Sequence, residues 1–359
     1  MSKRDAQDAL NLKFPAKLPS KETLNNYDII RKVSGIDPYE DMETAYCQAV
    51  EKLGIDFIAG VPEKPKRRFI PGETHYAPEK GRIEAHLGIH STSVPMKYPF
   101  NTVDEIISYD PEEEHYKRSI DELVDEYQAG LERDRSLVKD TALVYRLYYT
   151  TLFMWGVEIF GWELFMMAAT LKENEFDDLL EKFKKVSVRY LTAWEKAGVE
   201  QIICHDDLAS TQGPIFHPDW YRKHIFPRYK EIFAPFKEKG KKVLFCSDGN
   251  ITPFLDDLLE AGVDGFMMET PATDFKNIIE KCGKNKVIIG GVDTKILTFK
   301  NPEEIDRHVK EVIETAKDCP GFFFSSPGGI HGNIPLENLE AYFSARRKYG
   351  KELRKGITK

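Results

Sequence analysis

The stretch KVLFCSDGNITPFLDDLLEAG, residues 242–262, contains one complete strand-and-helix unit. The apolar residues 243–245 favour a buried strand, and the polar residues 246–250 end it. An amphipathic helix follows, with Pro253 early in it and Gly262 at its end. A strand that ends in a thiol and a carboxylate is compatible with a buried cysteine before a helix cap, and also with an active site.

Four further apolar runs repeat this pattern in the second half of the chain: EQIICHDD (200–207), GFMMET (265–270), KVIIGGVD (286–293) and GFFFSSPGG (321–329). Continuously apolar runs are typical of strands that are buried on both faces. Amphipathic helical segments separate them, and such regular alternation predicts a parallel sheet with helical crossovers. The sequence contains no Gly-rich phosphate-binding motif of the kind found in doubly wound sheets, which favours a closed barrel.

The predicted fold class is therefore α/β, a (β/α)8 TIM barrel with an N-terminal helical segment. We expect that segment at residues 1–50 and the TIM-barrel catalytic domain at residues 51–359. Early barrel strands are expected at 55–60 and near 82–89. Residues 100–199 are expected to be mostly helical.

Composition excludes several classes of protein. The chain has 359 residues, a formal net charge of -8 and no basic block, which argues against nucleic acid as a partner. Its N-terminus lacks the apolar core of a signal peptide. The most apolar run, residues 150–171, contains Glu158 and Glu163, which argues against a membrane span. Five cysteines without a CxxC pair indicate a reducing, cytoplasmic compartment.

Polar side chains follow every one of the five apolar runs. In chain order they are His205, Asp206 and Asp207; Cys246, Ser247 and Asp248; Glu269; Asp293; and Ser325, Ser326 and His331. The carboxyl ends of barrel strands meet at one mouth, where such enzymes have their active sites. The alternative for a single acidic residue, notably Asp206 or Asp293, is a helix cap.

Zinc takes thiolate, imidazole and carboxylate ligands, and a catalytic zinc leaves one position open. We therefore predict Cys246, Glu269 and His331 as metal ligands. The alternatives are a buried core thiol for Cys246 and a loop histidine for His331.

Three consecutive polar residues, His205, Asp206 and Asp207, are predicted to be catalytic and to transfer protons. Asp207 has two further alternatives, because it can also be a fourth metal ligand or orient one. Capping of the next segment is the structural alternative for this residue.

Three segments carry a family resemblance: GVEQIICHDDLASTQGPIFHPDW, VLFCSDGNITPFLDDLLEAGVDGFMMETPA, and KVIIGGVDTKIL continued by PGFFFSSPGGIHGNIPLENLEAYF. They resemble the uroporphyrinogen decarboxylase superfamily over roughly residues 195–350. The resemblance implies a TIM barrel and one of two chemistries. One is cofactor-free decarboxylation, and the other is zinc-dependent methyl transfer linked to a corrinoid.

Within that superfamily the sequence favours methyl transfer. The decarboxylases have an Arg-rich early motif, where this chain has RRFIPGETHY at 67–76. The thiol-directed methyltransferases have an HxC pair at the fifth strand and a late Cys. Here Cys246 and Asp248 stand near that pair, and Gly329 replaces the late Cys, with His331 two residues on.

The resemblance therefore implies an O-demethylase type of corrinoid-dependent methyltransferase, an enzyme of anaerobic one-carbon metabolism. It would move methyl from a methoxylated aromatic donor to the cob(I)alamin of a partner corrinoid protein, with zinc acting on the leaving oxygen. A cofactor-free decarboxylase, a methylcorrinoid:coenzyme M methyltransferase and an inert binding barrel remain alternatives. The oligomeric state also stays open, with a homodimer among the alternatives.

Overall fold

A computed structural model of the chain describes residues 2–65, 68, 70, 74–77, 82–86 and 91–357. The helices of these residues are α1 (Ser2–Leu10), α2 (Tyr27–Ser34), α3 (Met42–Leu53), α4 (Val103–Ile107), α5 (Pro111–His115), α6 (Ile120–Val138), α7 (Phe153–Phe160), α8 (Trp162–Leu171), α9 (Glu173–Lys196), α10 (Pro218–His224), α11 (Phe226–Lys237), α12 (Leu255–Glu260), α13 (Phe275–Cys282), α14 (Thr294–Phe299), α15 (Pro302–Thr315) and α16 (Leu336–Ile357). The strands are β1 (Leu24–Asn25), β2 (Phe57–Ile58), β3 (Thr74–Ala77), β4 (Arg82–His86), β5 (Ser91–Pro95), β6 (Leu143–Val144), β7 (Arg146–Tyr148), β8 (Gln201–His205), β9 (Ala209–Ser210), β10 (Gly213–Pro214), β11 (Lys242–Ser247), β12 (Gly265–Met268), β13 (Val287–Gly291), β14 (Phe322–Ser325) and β15 (Ile330–His331).

The chain divides into two compact units. The first contains residues 1–96, 133–144 and 265–359, and the second contains residues 97–132 and 145–264.

The first unit is built on parallel strands. β13 pairs in parallel with β12 on one side and β14 on the other. β1 pairs in parallel with β15, and β2 with β6. The predicted N-terminal segment thus supplies helices and also β1. The side chains of β12, β13 and β14 are buried on both faces, as the continuously apolar runs predict.

The second unit has β8 at the centre of three parallel strands, between β7 and β11. Helices α9 and α11 pack against each other and bury Leu180, Phe183 and Ile232 in the core of this unit. β8 and β11 end at polar residues, and both ends belong to the same edge because the strands are parallel.

All five predicted strand runs of the second half are strands, and the predicted strand at 55–60 is β2. In the described residues, parallel strands fall at nine places along the chain: β1, β2, β6 with β7, β8, β11, β12, β13, β14 and β15. The segment near 82–89 is not one of them, so that prediction was wrong. Residues 82–86 form β4, which pairs antiparallel with β3 and β5. Its sequence, RIEAH, alternates polar and apolar residues, which is typical of antiparallel strands. Residues 87–89 lie outside the described residues.

The apolar run at 150–171 forms two short helices, α7 and α8, which meet at Gly161. Gly161 has a φ of 78°, and a Cβ there would lie 2.6 Å from the ring of Tyr98, so the position requires glycine. In the described part of the chain no helix is long and apolar enough to cross a membrane.

Candidate metal centre

The candidate site begins with two neighbouring residues on adjacent strands. His205 ends β8 and Cys246 lies near the end of β11, and the two are direct partners in the parallel register. Side chains at paired positions of parallel strands point to the same face. His205 is 8% exposed and Cys246 is 3% exposed, so both donor groups are largely withdrawn from water.

Asp248 completes a cluster of three donor groups. It lies two residues after Cys246, just past the end of β11, and it is exposed. One possible ligand atom from each of His205, Cys246 and Asp248 lies within 4.8 Å of the other two. A thiol, an imidazole and a carboxylate in such proximity match the donor types of a zinc site with an open position.

Asp207 connects two members of this cluster. Its Oδ1 lies 2.9 Å from His205 Nε2 and accepts a hydrogen bond of 2.8 Å from the backbone N–H of Asp248. With Nε2 engaged by the carboxylate, Nδ1 is the nitrogen of His205 left to bind a metal. A histidine that binds a metal usually donates its other N–H to a carboxylate or carbonyl in this way, and the partner fixes the ring orientation.

The electrostatics of this pair follow from its contacts. Burial alone would lower the pKa of His205, but the hydrogen bond and charge of Asp207, with further charge from Asp248 and Asp206, raise it above its usual value. Burial alone would raise the pKa of Asp207, but the hydrogen bond and charge of His205 hold it below its usual range. Asp207 therefore meets the imidazole as a carboxylate.

Asp206 has a different environment, although it lies between His205 and Asp207. It is fully buried, and its carboxylate accepts hydrogen bonds from the backbone N–H groups of Leu152, Phe153 and Met154, at 2.6, 2.9 and 2.8 Å, and from the hydroxyl of Tyr229 at 2.8 Å. Burial raises the pKa of Asp206 to about 6, and these hydrogen bonds act in the opposite direction. Asp206 thus binds the backbone N–H groups at the start of α7. This is a helix-capping contact, the structural alternative given for Asp206 in the sequence analysis. Its predicted catalytic role stays a prediction.

The loops that carry the cluster approach each other closely. The backbone N–H of Asn250 donates to the carbonyl of Ser210 at 2.9 Å. Gly249 has a φ of 82°, and a Cβ there would lie 2.2 Å from the carbonyl oxygen of Ala209. Only glycine suits both the dihedral angle and the space, so the SDGN turn positions Asp248.

One aromatic side chain contacts the cluster, and a group of others packs at the start of α7 in the same unit. The ring of Tyr149 meets that of His205 edge to face, 4.7 Å between centroids, and Tyr149 is 47% exposed. Burial raises the pKa of Tyr149 to about 12, so its phenol is neutral. Phe216 and Trp220 stack 4.4 Å apart and both contact Phe153, the first residue of the helix that Asp206 caps.

The other two predicted ligands belong to the first unit. Glu269 follows β12, and its Oε1 lies 3.5 Å from the place where a Cβ on Gly328 would be. His331 Nε2 lies 3.4 Å from Thr298 Oγ1, and His331 Nδ1 is buried without a hydrogen-bond partner among the described residues. Burial lowers the pKa of His331, so its imidazole is neutral. The membership of Glu269 and His331 in one ligand set with Cys246 stays a prediction.

The structure adds two observations to the expectations from sequence, and the predicted roles themselves stay predictions. His205, predicted for proton transfer, lies in the donor cluster, and Asp248, which was not among the predicted ligands, completes it. The spacing of two residues between Cys246 and Asp248 could have indicated Asp248 as a ligand. The sequence SDGN is also typical of a turn, and a turn alone explains an aspartate at this position. Asp293 is a helix cap, since its Oδ1 accepts a 2.8 Å hydrogen bond from the N–H of Lys295 in α14.

Comparison with known proteins identifies the family and the fold. The family model described as Uroporphyrinogen decarboxylase (URO-D) matches residues 153–349, more than half of the chain. The uroporphyrinogen decarboxylase of Carboxydothermus hydrogenoformans is 29% identical over 163 residues, which is 45% of either chain. That of Pseudoalteromonas atlantica is 25% identical over 196 residues, 52% of this chain and 53% of the relative. The chain thus spans about half the length of the curated relatives it matches.

A methyltransferase from Methanosarcina mazei matches in structure with a TM-score of 0.66 and 18% identity, over 97% of this chain and 98% of that chain. This likeness, with the parallel strands described above, confirms the predicted α/β class with a TIM-barrel fold.

Proposed function

Because the chain belongs to the uroporphyrinogen decarboxylase family, we propose that it is a zinc-dependent methyltransferase of the O-demethylase type. In this proposal it takes the methyl group of a methoxylated aromatic compound and passes it to the cob(I)alamin of a partner corrinoid protein. The observation that carries the proposal is the cluster of His205, Cys246 and Asp248 at the ends of two adjacent parallel strands.

These three residues would hold the zinc, and Asp207 would orient two of them. When bound, zinc supplies a Lewis acid that stabilises negative charge on a leaving ether oxygen, which is otherwise a poor leaving group. Three protein ligands leave a fourth position for that oxygen. The fold likeness to a protein described as a methyltransferase is consistent with this chemistry.

The residues around the cluster have supporting roles in this proposal. Asp207 is ionised, so it accepts the imidazole N–H and does not donate a proton to the leaving oxygen. Tyr149 keeps its proton, is half exposed and covers His205, so its hydroxyl is a suitable hydrogen-bond donor to a substrate oxygen.

Metal analysis of the purified protein tests the metal centre. We expect about one zinc per chain, as in other catalytic sites with three protein ligands. Zinc should be lost or much reduced in His205→Ala, Cys246→Ala and Asp248→Ala. Cys319→Ala is the matched control, since it removes another buried thiol. Glu269→Gln and His331→Ala test the prediction that these two residues are also zinc ligands. Loss of zinc in either variant would support that role, and unchanged zinc would contradict it.

Methyl transfer is tested separately with free cob(I)alamin and a methoxylated aromatic donor, by the absorbance change on methylation of cobalt. Activity that follows the zinc content of the variants is the expected result. Bound zinc without this activity, but with methyl transfer from methylcobalamin to coenzyme M, would support the thiol-directed alternative. A wild-type protein that takes up no zinc when zinc is supplied would contradict the proposal and leave a cofactor-free decarboxylase or an inert binding barrel.

A further inference from the structure

A cavity lies in the first unit, lined by residues just before β1 and just after the carboxyl end of β2. It has a volume of about 220 Å³. Lys21 and Phe57 form a parallel bridge. The residues that follow each of them along the chain line the cavity. Glu22 and Thr23 line it before β1, residues 59–62 line it after β2, and Tyr46 of α3 completes the lining. The carboxyl ends of parallel strands are where α/β proteins bind ligands.

Among the described residues of this lining, Glu22 has the only carboxyl group, and nothing in the proposed zinc chemistry uses it. The residue is 1% exposed. Its Oε1 accepts a 2.5 Å hydrogen bond from the hydroxyl of Tyr342, and its Oε2 accepts a longer one, 3.3 Å, from the backbone N–H of Ser326. Glu22 therefore lines the cavity as a buried residue whose carboxyl group is held in place by these two hydrogen bonds.

The charged groups that face Glu22 come from its own segment and from α16. Lys21 is its chain neighbour, and its Nζ donates to Thr23 Oγ1 at 3.0 Å. Arg346 donates to Ser20 Oγ and to the carbonyls of Leu53 and Gly54. Both cations favour the ionised carboxylate, as do the hydrogen bonds from Tyr342 and Ser326, but burial outweighs them and raises the pKa of Glu22 to about 7.

The remaining lining is mostly apolar and leaves room for a ring. Ala59, Gly60, Val61 and Pro62 provide aliphatic walls. An apolar cavity on the order of 150 Å³ is large enough to bind benzene. The volume of about 220 Å³ therefore accommodates a single ring with a small substituent.

We propose that this cavity binds a small uncharged ring compound that carries an oxygen acceptor, and that Glu22 donates a hydrogen bond to that oxygen. Oε2 is the atom that holds the proton, because the shorter hydrogen bond from Tyr342 keeps Oε1 an acceptor. The inference goes beyond the proposed methyl transfer and does not rest on it, since every residue it uses belongs to the first unit.

Methoxybenzene (anisole) is the suitable probe, because it has the ring and an acceptor oxygen but no donor. Its binding to the full chain can be followed by ligand-observed NMR. Because only the protonated carboxyl donates, affinity should be highest below pH 7 and fall as the pH rises. Between about pH 6 and pH 8.5 the expected loss is about 30-fold for a site that needs one proton with a pKa near 7.

Two variants separate this mechanism from unspecific binding. Glu22→Gln keeps an N–H donor at every pH, so it should bind anisole with little pH dependence. Val61→Phe should fill the cavity and weaken binding at least tenfold. Glu51→Gln is the matched control, since it removes an exposed carboxylate of α3 and should behave like wild type.

Absence of anisole binding to the wild-type chain at pH 6 would overturn the proposal. So would a pH dependence that persists in Glu22→Gln. If circular dichroism shows that Val61→Phe does not fold, the comparison of wild type with Glu22→Gln still decides the question.

Discussion

Removal of the Asp207 carboxylate should weaken zinc binding without removing any of the three proposed ligands. Asp207 Oδ1 is the common partner of His205 Nε2 and of the Asp248 backbone N–H. In Asp207→Ala the imidazole is free to rotate, and the turn that carries Asp248 loses one of its fixed points. The ligands remain, but their arrangement has to be restored each time zinc binds.

The magnitude follows from the kind of contact that is lost. Partners that orient a metal-binding histidine typically contribute 10–100-fold in metal affinity, or about 1.4–2.7 kcal/mol. Asp207→Ala should therefore bind zinc about 10–100-fold more weakly than wild type. Asp207→Asn keeps an acceptor oxygen but not the charge, and hydrogen bonds between neutral groups are roughly half as strong as charged ones. A loss of about 3–10-fold is expected for this variant, the square root of the loss in Asp207→Ala.

Competition with a chromophoric zinc chelator at one fixed pH measures both affinities. Asp178→Asn is the control for net charge, because it removes an exposed carboxylate on α9 of the same unit. Equal zinc affinity in wild type, Asp207→Ala and Asp178→Asn would refute the reasoning. The hydrogen bond between His205 and Asp207 would then have no part in metal binding, and the proposed use of His205 Nδ1 would fail with it.

Three further predictions concern stability, each measured by urea unfolding. Glu22 has a pKa raised from 4.5 to about 7 in the folded chain, so its stabilising effect is complete below pH 4.5 and is lost as the pH rises through 7. Glu22→Gln should abolish this loss, which amounts to about 3 kcal/mol, and an unchanged pH profile would contradict it. Gly249→Ala should destabilise the chain by about 2–4 kcal/mol, because its Cβ meets the backbone of Ala209 at a positive φ. Gly240→Ala, with a φ of 68° and open space, should cost only about 1 kcal/mol, and equal costs for the two would be inconsistent with the contact. Asp206→Ala leaves four buried donors without their acceptor and should cost about 3–5 kcal/mol, whereas a cost below about 1 kcal/mol would show that Asp206 does not hold α7.

The strands of the second half could be predicted from sequence because each is buried on both faces. A run such as VIIGG or FFFS has no polar position, and helices with clear caps separate such runs. The capping box at Asn301 and Glu304 of α15 is an example of a local signal that is also present in the structure. Elements that are determined by residues close together in the sequence could therefore be predicted from the sequence.

The barrel strands of the first half were harder to predict for the opposite reason. β1, β2 and β6 are two residues long, too short for a periodic pattern, and they are defined by pairing with distant partners such as β15. β4 is five residues long and was predicted as a barrel strand. Its alternation of polar and apolar residues instead reflects its place in an antiparallel sheet. Such short strands form because of tertiary contacts with distant segments, and these contacts cannot be read from a single sequence.

The candidate site shows the same limit at the level of single residues. His205, Asp206 and Asp207 are consecutive and polar, and the sequence suggests one catalytic group. Successive side chains of a strand point to opposite faces, and this separates them. His205 turns toward Cys246 of the neighbouring strand, whereas Asp206 turns away and holds the start of α7.

Asp207 lies two residues after His205, so its side chain is on the same face as that of His205, where its carboxylate contacts the imidazole. Its second contact, to the backbone of Asp248, depends on the parallel register that places residue 246 opposite residue 205. A one-residue shift of that register would bring Ser247 opposite His205 and remove the thiol from the cluster. The candidate metal centre is thus a property of strand pairing, and neither strand alone specifies it.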